Sequence, residues 1–111
     1  MKRGDIYFAV LDPTLGNETQ KTRPVVIVSN NAANKSSSLV TVVPLSSQIA
    51  RIFPFEVLFK ALDSGLSKDS KAMAQQVRTI DKQRLSNRPS GCASNEQVIA
   101  LDAALKLHLA L

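Results

Sequence analysis

The stretch Lys21-Thr22-Arg23-Pro24-Val25-Val26-Ile27-Val28-Ser29 decides how this chain folds. Four β-branched residues follow an Arg-Pro step without a break, and branching at Cβ restricts χ1 and favours extended backbone. Alternation puts Val25 and Ile27 on one face and Val26 and Val28 on the other, so both faces are apolar. A strand of this kind belongs in the middle of a small barrel or beneath a helix. Arg23 stands at its entrance, a permanent charge at the rim of a rigid core.

Outward from this strand, the N-terminal side holds a strand candidate at Asp5 to Leu11, stopped by Asp12-Pro13, and a polar loop over residues 12 to 22. On the other side a polar connector, Asn30 to Ser38, has room for one helical turn before a valine-rich strand, Leu39 to Leu45, closed by Pro44. Phe53 to Phe59 reads as a fourth strand, Lys60 to Asp69 as a turn, and Ala72 to Val77 as a weaker fifth strand. Asp81 is placed to cap a short helical turn through Leu85, and Asn87-Arg88-Pro89-Ser90-Gly91 breaks the chain again. The last segment predicts a long helix. Ser94 and Gln97 form a capping box, and Val98, Leu101, Leu105 and Leu109 recur at helical spacing.

Parallel strands need helical crossovers, and the early connectors are too short or irregular for them. The expectation is a mainly β, antiparallel, partly closed small barrel with a C-terminal α-helix packed on it. Residues 1–111 are expected to form a single domain, long enough for its own core.

Composition narrows the partners. A 44% hydrophobic and 21% charged chain is that of a globular protein. The net charge of +5 and a pI near 9.7 favour a polyanionic partner. One cysteine, Cys92, rules out an intrachain disulfide, and with one histidine it gives no metal cluster, so neither metal nor cofactor is expected. With no leader sequence and no apolar run long enough to cross a bilayer, a cytoplasmic protein without a membrane partner is expected.

If the second and third strands pair antiparallel, Arg23 falls beside Ser46, and the loop carrying Glu18 enters at the same rim. A guanidinium then converges with the hydroxyls of Ser46 and Ser47 and with Gln48. An Arg fork donates two parallel hydrogen bonds to phosphate oxygens, and such groups suit cleavage of RNA by its own 2′-OH. The plain readings weigh against this. An Arg ahead of a strand is more often a solvated end, Ser46-Ser47 more often a turn, and Glu18 more often a surface residue. His108, among leucines, is more often a packed or boundary residue than a base. Lys82, Arg84 and Arg88 are equally a solvated face or, with Arg78, a track for a phosphate backbone. Composition and spacing alone support a basic β-barrel domain suited to nucleic acid.

Several segments, in order, resemble the MazF/PemK (Kid-like) family of toxin endoribonucleases. They are Lys2-Arg3-Gly4-Asp5-Ile6-Tyr7, Leu11-Asp12-Pro13-Thr14-Leu15-Gly16-Asn17-Glu18, Thr22-Arg23-Pro24-Val25-Val26-Ile27-Val28, Val42-Val43-Pro44-Leu45-Ser46-Ser47-Gln48, Phe53-Pro54-Phe55-Glu56-Val57 and Gln76-Val77-Arg78-Thr79-Ile80-Asp81-Lys82. The resemblance implies an SH3-like barrel of the CcdB/PemK type, acting as a homodimer. It implies metal-independent, sequence-specific cleavage of single-stranded mRNA, leaving 2′,3′-cyclic phosphate and 5′-OH ends. It also implies neutralisation by a cognate MazE/PemI-like antitoxin laid over the RNA groove.

Carried over by position, Arg23 stabilises the phosphorane and protonates the leaving oxygen, and Ser46 is the family's hydroxyl after the third strand. The loops 12 to 22 and 46 to 54 read the bases, which places Asn17, Glu18, Gln20, Lys21, Thr22, Ser47 and Gln48 at the RNA, together with Gln76 and Arg78. Two departures stand out. Many relatives have Thr where this chain has Ser46. One branch has Arg-Cys-Asp where this chain has Met73-Ala74-Gln75, and a loop histidine at the position of Asn17, so that branch's acid/base pair is absent. The rival readings are a gyrase-poisoning toxin on a CcdB-like barrel and a noncatalytic RNA-binding barrel. The chain has no Trp for the first, and its aromatic content of 5% is low for the second.

Overall fold

The computed structural model describes residues 1–11 and 22–111. Within them the chain forms β1 (Asp5–Val10), β2 (Thr22–Ile27), α1 (Asn31–Ser36), β3 (Leu39–Ser46), β4 (Glu56–Phe59), α2 (Ala61–Ser64), β5 (Ser70–Met73), β6 (Arg78–Asp81), β7 (Gly91–Cys92) and α3 (Asn95–Leu109). Single 3-10 turns lie at Ala74–Gln76 and Lys82–Arg84. The strands run in the order β4-β5-β3-β2-β1-β7, with β6 also on β3, and every pairing is antiparallel.

β2 lies between β1 and β3 and separates two apolar layers. Val26 joins Ile6, Val43, Leu45, Phe59 and Ala72 in one layer, which Leu101 and Ala104 of α3 close. Val25 and Ile27 join Tyr7, Ala9, Leu11, Val40, Val42 and Ile80 on the other face. The two-sided burial expected of this strand is therefore its actual environment. Removing its side chains from water on both faces stabilises its place in the sheet, as it does for β3 beside it.

Boundaries differ from the sequence expectation where a proline or a side chain decides them. β2 begins two residues before Pro24, because Arg23 and Thr22 pair with Ala9 and Val10 of β1. β3 runs through Pro44 to Ser46 rather than closing at the proline. Its ladder to β6 ends at Val42 and its ladder to β5 begins at Leu45, so Pro44 sits at the changeover, where a missing N–H is least costly. β4 begins at Glu56, not Phe53, because the Glu56 carboxylate accepts the Phe53 amide N–H at 2.9 Å and bends the chain there. β5 spans Ser70–Met73, ahead of the expected fifth strand, whose residues 74 to 76 form a 3-10 turn.

Asp81 caps the turn at Lys82–Arg84 as expected, accepting from Gln83 N, and both bonds of the Ser94–Gln97 capping box are present on α3. Leu101 is buried and Val98 and Leu105 pack beside it, whereas Leu109 in the last turn is 49% exposed. Arg3 fastens the helix to the sheet, donating from Nε to the Val28 carbonyl at 2.8 Å and from Nη2 to Asp102 Oδ1 at 2.7 Å.

Candidate functional site

The β2–β3 register pairs Val25 with Pro44 and Val26 with Val43. Two residues further along each strand, Arg23 comes level with Ser46. On β2's other edge Arg23 pairs with Ala9, and on β3's other edge Ser46 pairs with Lys71, which in turn pairs with Leu58 of β4. One row across the sheet thus reads Ala9, Arg23, Ser46, Lys71, Leu58. Residues level in antiparallel strands share a face. Arg23 and Ser46 therefore lie on the face of Val25 and Val42, turned away from α3.

Arg23 is half-buried and Ser46 is buried, 8% exposed. The Ser46 hydroxyl accepts the Gln48 backbone N–H at 3.2 Å, which folds the start of the following loop back over the strand end. Ser47 and Gln48 in that loop are exposed, as is Thr22 at the start of β2. Arg78 pairs with Val42, four residues back from Ser46 on β3, about 13 Å along the same face at ordinary strand rise. It also donates to the Leu11 carbonyl at 3.4 Å. Gln76 sits in the turn leading into β6, its amide 3.7 Å from Met73 Sδ. The expected residues Asn17, Glu18, Gln20 and Lys21 lie outside the described residues.

Two residues here were not singled out from the sequence. Lys71 stands beside Ser46, and its ammonium meets Glu56 Oε1 at 3.1 Å. Glu56 is buried, accepting from Phe53 N at 2.9 Å and from Gln75 Nε2 at 2.7 Å. Burial pushes its carboxyl pKa up, but the Phe53 amide, Gln75 and Lys71 together outweigh that and hold it below the ordinary value. The sequence signal for Lys71 is the β-strand alternation, which begins at Ser70 and not at the expected Ala72.

A cleft of about 560 Å³ opens on the opposite face. Phe8, Pro24 and Leu45 line it, with Arg23, Ser47 and Lys68 among its remaining walls. Ser46, one residue off from Leu45 and Ser47, is not among them. Arg23 thus borders the cleft as well as standing in the row with Ser46. Among the described residues no three His, Cys, Asp or Glu side chains cluster as metal ligands.

With Arg23, Lys71 and Arg78 on one face and the Glu56 carboxylate already engaged by Lys71, the surface suits an anion. Its arrangement, a guanidinium level with a hydroxyl on adjacent strands, can grip a phosphodiester from two sides. A profile of PemK-like, MazF-like toxins of type II toxin-antitoxin systems matches residues 2–109. The chain belongs to this toxin family.

A relative of this toxin, the Mycobacterium tuberculosis endoribonuclease MazF9, is 46% identical over 116 residues, covering 100% of this chain and 98% of the relative. Endoribonuclease EndoA of Bacillus subtilis is 38% identical over 112 residues, covering 100% of this chain and 96% of its own. Among solved structures, an endoribonuclease from a mycobacterial species in complex with its cognate antitoxin superposes with a TM-score of 0.80 at 26% identity, over 100% of this chain and 96% of that one. The mainly β, helix-backed architecture expected from sequence is the fold of these toxins.

Proposed function

We propose that this toxin is a sequence-specific endoribonuclease that cuts single-stranded mRNA without a metal. On this reading the RNA's own 2′-oxygen attacks the adjacent phosphorus and the bond to the 5′-oxygen breaks. The 2′-OH loses a proton and the departing oxygen gains one, so 2′,3′-cyclic phosphate and 5′-OH ends form with no water consumed. Arg23 donates hydrogen bonds to the phosphorane oxygens as charge builds there, and delivers the proton to the leaving alkoxide, a stronger base than neutral guanidine. Ser46 holds the phosphate from the neighbouring strand. Ser47, Gln48, Thr22, Gln76 and Arg78 bind the flanking nucleotides, together with Asn17, Glu18, Gln20 and Lys21 from the segment of sequence between β1 and β2.

The observation that carries the chemistry is the β2–β3 register, which brings Arg23 level with Ser46. The names of the MazF and EndoA relatives support the substrate class. The antitoxin complex of the mycobacterial relative supports a cognate antitoxin as protein partner. The 111-residue chain acts as a single domain in a cytoplasmic homodimer. No described helix is long and apolar enough to cross a membrane.

The test incubates the purified protein with a long single-stranded RNA in EDTA and maps the ends. Discrete cuts ending in cyclic phosphate are expected. Intact RNA that is nonetheless retained on a gel would favour a noncatalytic binder, and plasmid damage seen only with gyrase would favour a gyrase poison. Either result would overturn the proposal.

A further inference from the structure

The loop from Ser47 to Phe55 leaves the sheet at Ser46 and returns at Glu56. It has no strand partner of its own, yet it is tied from below at several points. The Glu56 carboxylate accepts the Phe53 N–H through Oε1 and the Gln75 side-chain N–H through Oε2. Lys71 binds the same Oε1 and also donates to the Arg51 carbonyl at 2.8 Å. Above this, the Arg51 guanidinium lies 4.6 Å from the Phe53 ring centre, and Phe53 stacks on Phe55 at 5.6 Å. A buried carboxylate thus joins the loop that carries Ser47 and Gln48 to the turn Ala74–Gln76, across β5.

We infer that Glu56, paired with Lys71, is a positioning residue: it fixes loop 47–55 and Gln76 in one relative geometry, so that both meet the same RNA strand. This rests on the proposed nuclease function. A buried ion pair contributes little net stability over an apolar pair of similar volume, but removing it leaves its other hydrogen-bond partners unmatched. Here those partners are the Phe53 amide and the Arg51 carbonyl in the loop, and the Gln75 side-chain amide in the turn Ala74–Gln76.

The experiment compares wild type with Glu56→Leu/Lys71→Met, which removes both charges and keeps the volume, and with Glu56→Gln. The readouts are melting temperature, amide hydrogen exchange over residues 51–56, and kcat and KM on an RNA oligonucleotide. For the double variant the expected result is a melting temperature near wild type, faster exchange at Phe53, and KM raised about tenfold with kcat within about threefold. Glu56→Gln is expected to shift KM in the same direction, because an amide cannot accept from all three donors. Wild-type exchange and KM in the double variant would overturn the inference. So would a double variant that no longer folds, since the pair would then serve the whole fold rather than the loop. A wild-type protein that cuts no RNA would instead sink the nuclease reading, and the exchange measurement would still report on the loop.

Discussion

Replacing Arg23 by alanine is the sharpest probe of the site. Side chains level on adjacent antiparallel strands have Cβ atoms about 4.5–5.5 Å apart, so the guanidinium and the Ser46 hydroxyl reach one phosphate group. Taking one charge-stabilising donor from a phosphorane-like transition state costs about 3–4 kcal/mol, or a factor of roughly 10²–10³ in rate. Arg23→Lys keeps the charge and loses the planar fork, for an expected loss on the order of tenfold. The fold is expected to survive both changes, because Arg23 is only half-buried and its backbone stays paired with Ala9. The assay is single-turnover formation of cyclic-phosphate ends from a defined oligonucleotide in EDTA, alongside a melting curve. An Arg23→Ala protein that melts like wild type and cuts within about threefold of its rate would refute the assignment. A lysine variant as slow as the alanine variant would show that geometry, not charge, dominates.

Further outcomes concern stability. In Gly91→Ala the new Cβ would sit 2.1 Å from the Ser64 carbonyl oxygen, so backbone must move; a loss of about 1–3 kcal/mol is expected in a urea melt. Arg3→Ala removes an ion pair whose side chains are 32% and 43% exposed, worth ~0.2–1 kcal/mol, and a bond to the Val28 carbonyl worth ~1 kcal/mol. A double-mutant cycle with Asp102→Ala is expected to show coupling below about 1 kcal/mol. The Glu56 pKa is depressed in the folded state, so its contribution is complete above the ordinary carboxyl value and is lost as pH falls through the folded one. Acid melts of wild type are therefore expected to steepen in that window, and those of Glu56→Gln to flatten.

The sequence was most legible where one residue's chemistry acts alone. Four β-branched residues after Pro24 announced a strand buried on both faces, and Ser94 with Gln97 announced the start of α3. The pairing of β2 with β3, read from a short polar connector, already aligned Arg23 with Ser46. It was least legible where a distant partner decides. Pro44 looked like a stop, but β3 passes through it because its neighbour changes there from β6 to β5. Phe53-Pro54-Phe55 has the composition of a strand, yet a carboxylate one residue further on claims the Phe53 amide. Gly91–Cys92, inside a stretch rich in chain breakers, becomes β7 because β1 offers it an open edge. Lys71 and Glu56 gave no sign of forming a pair, since only the β4–β5 ladder brings them together.

Arg23 and Ser46 lie on paired strands, whereas Ser47 and Gln48 lie on the loop beyond. On the proposed reading, the blade is therefore mounted on the paired strands and the sequence reader on the loop beyond. A loop outside the sheet can change its vocabulary without disturbing the strands that hold Arg23 and Ser46 level.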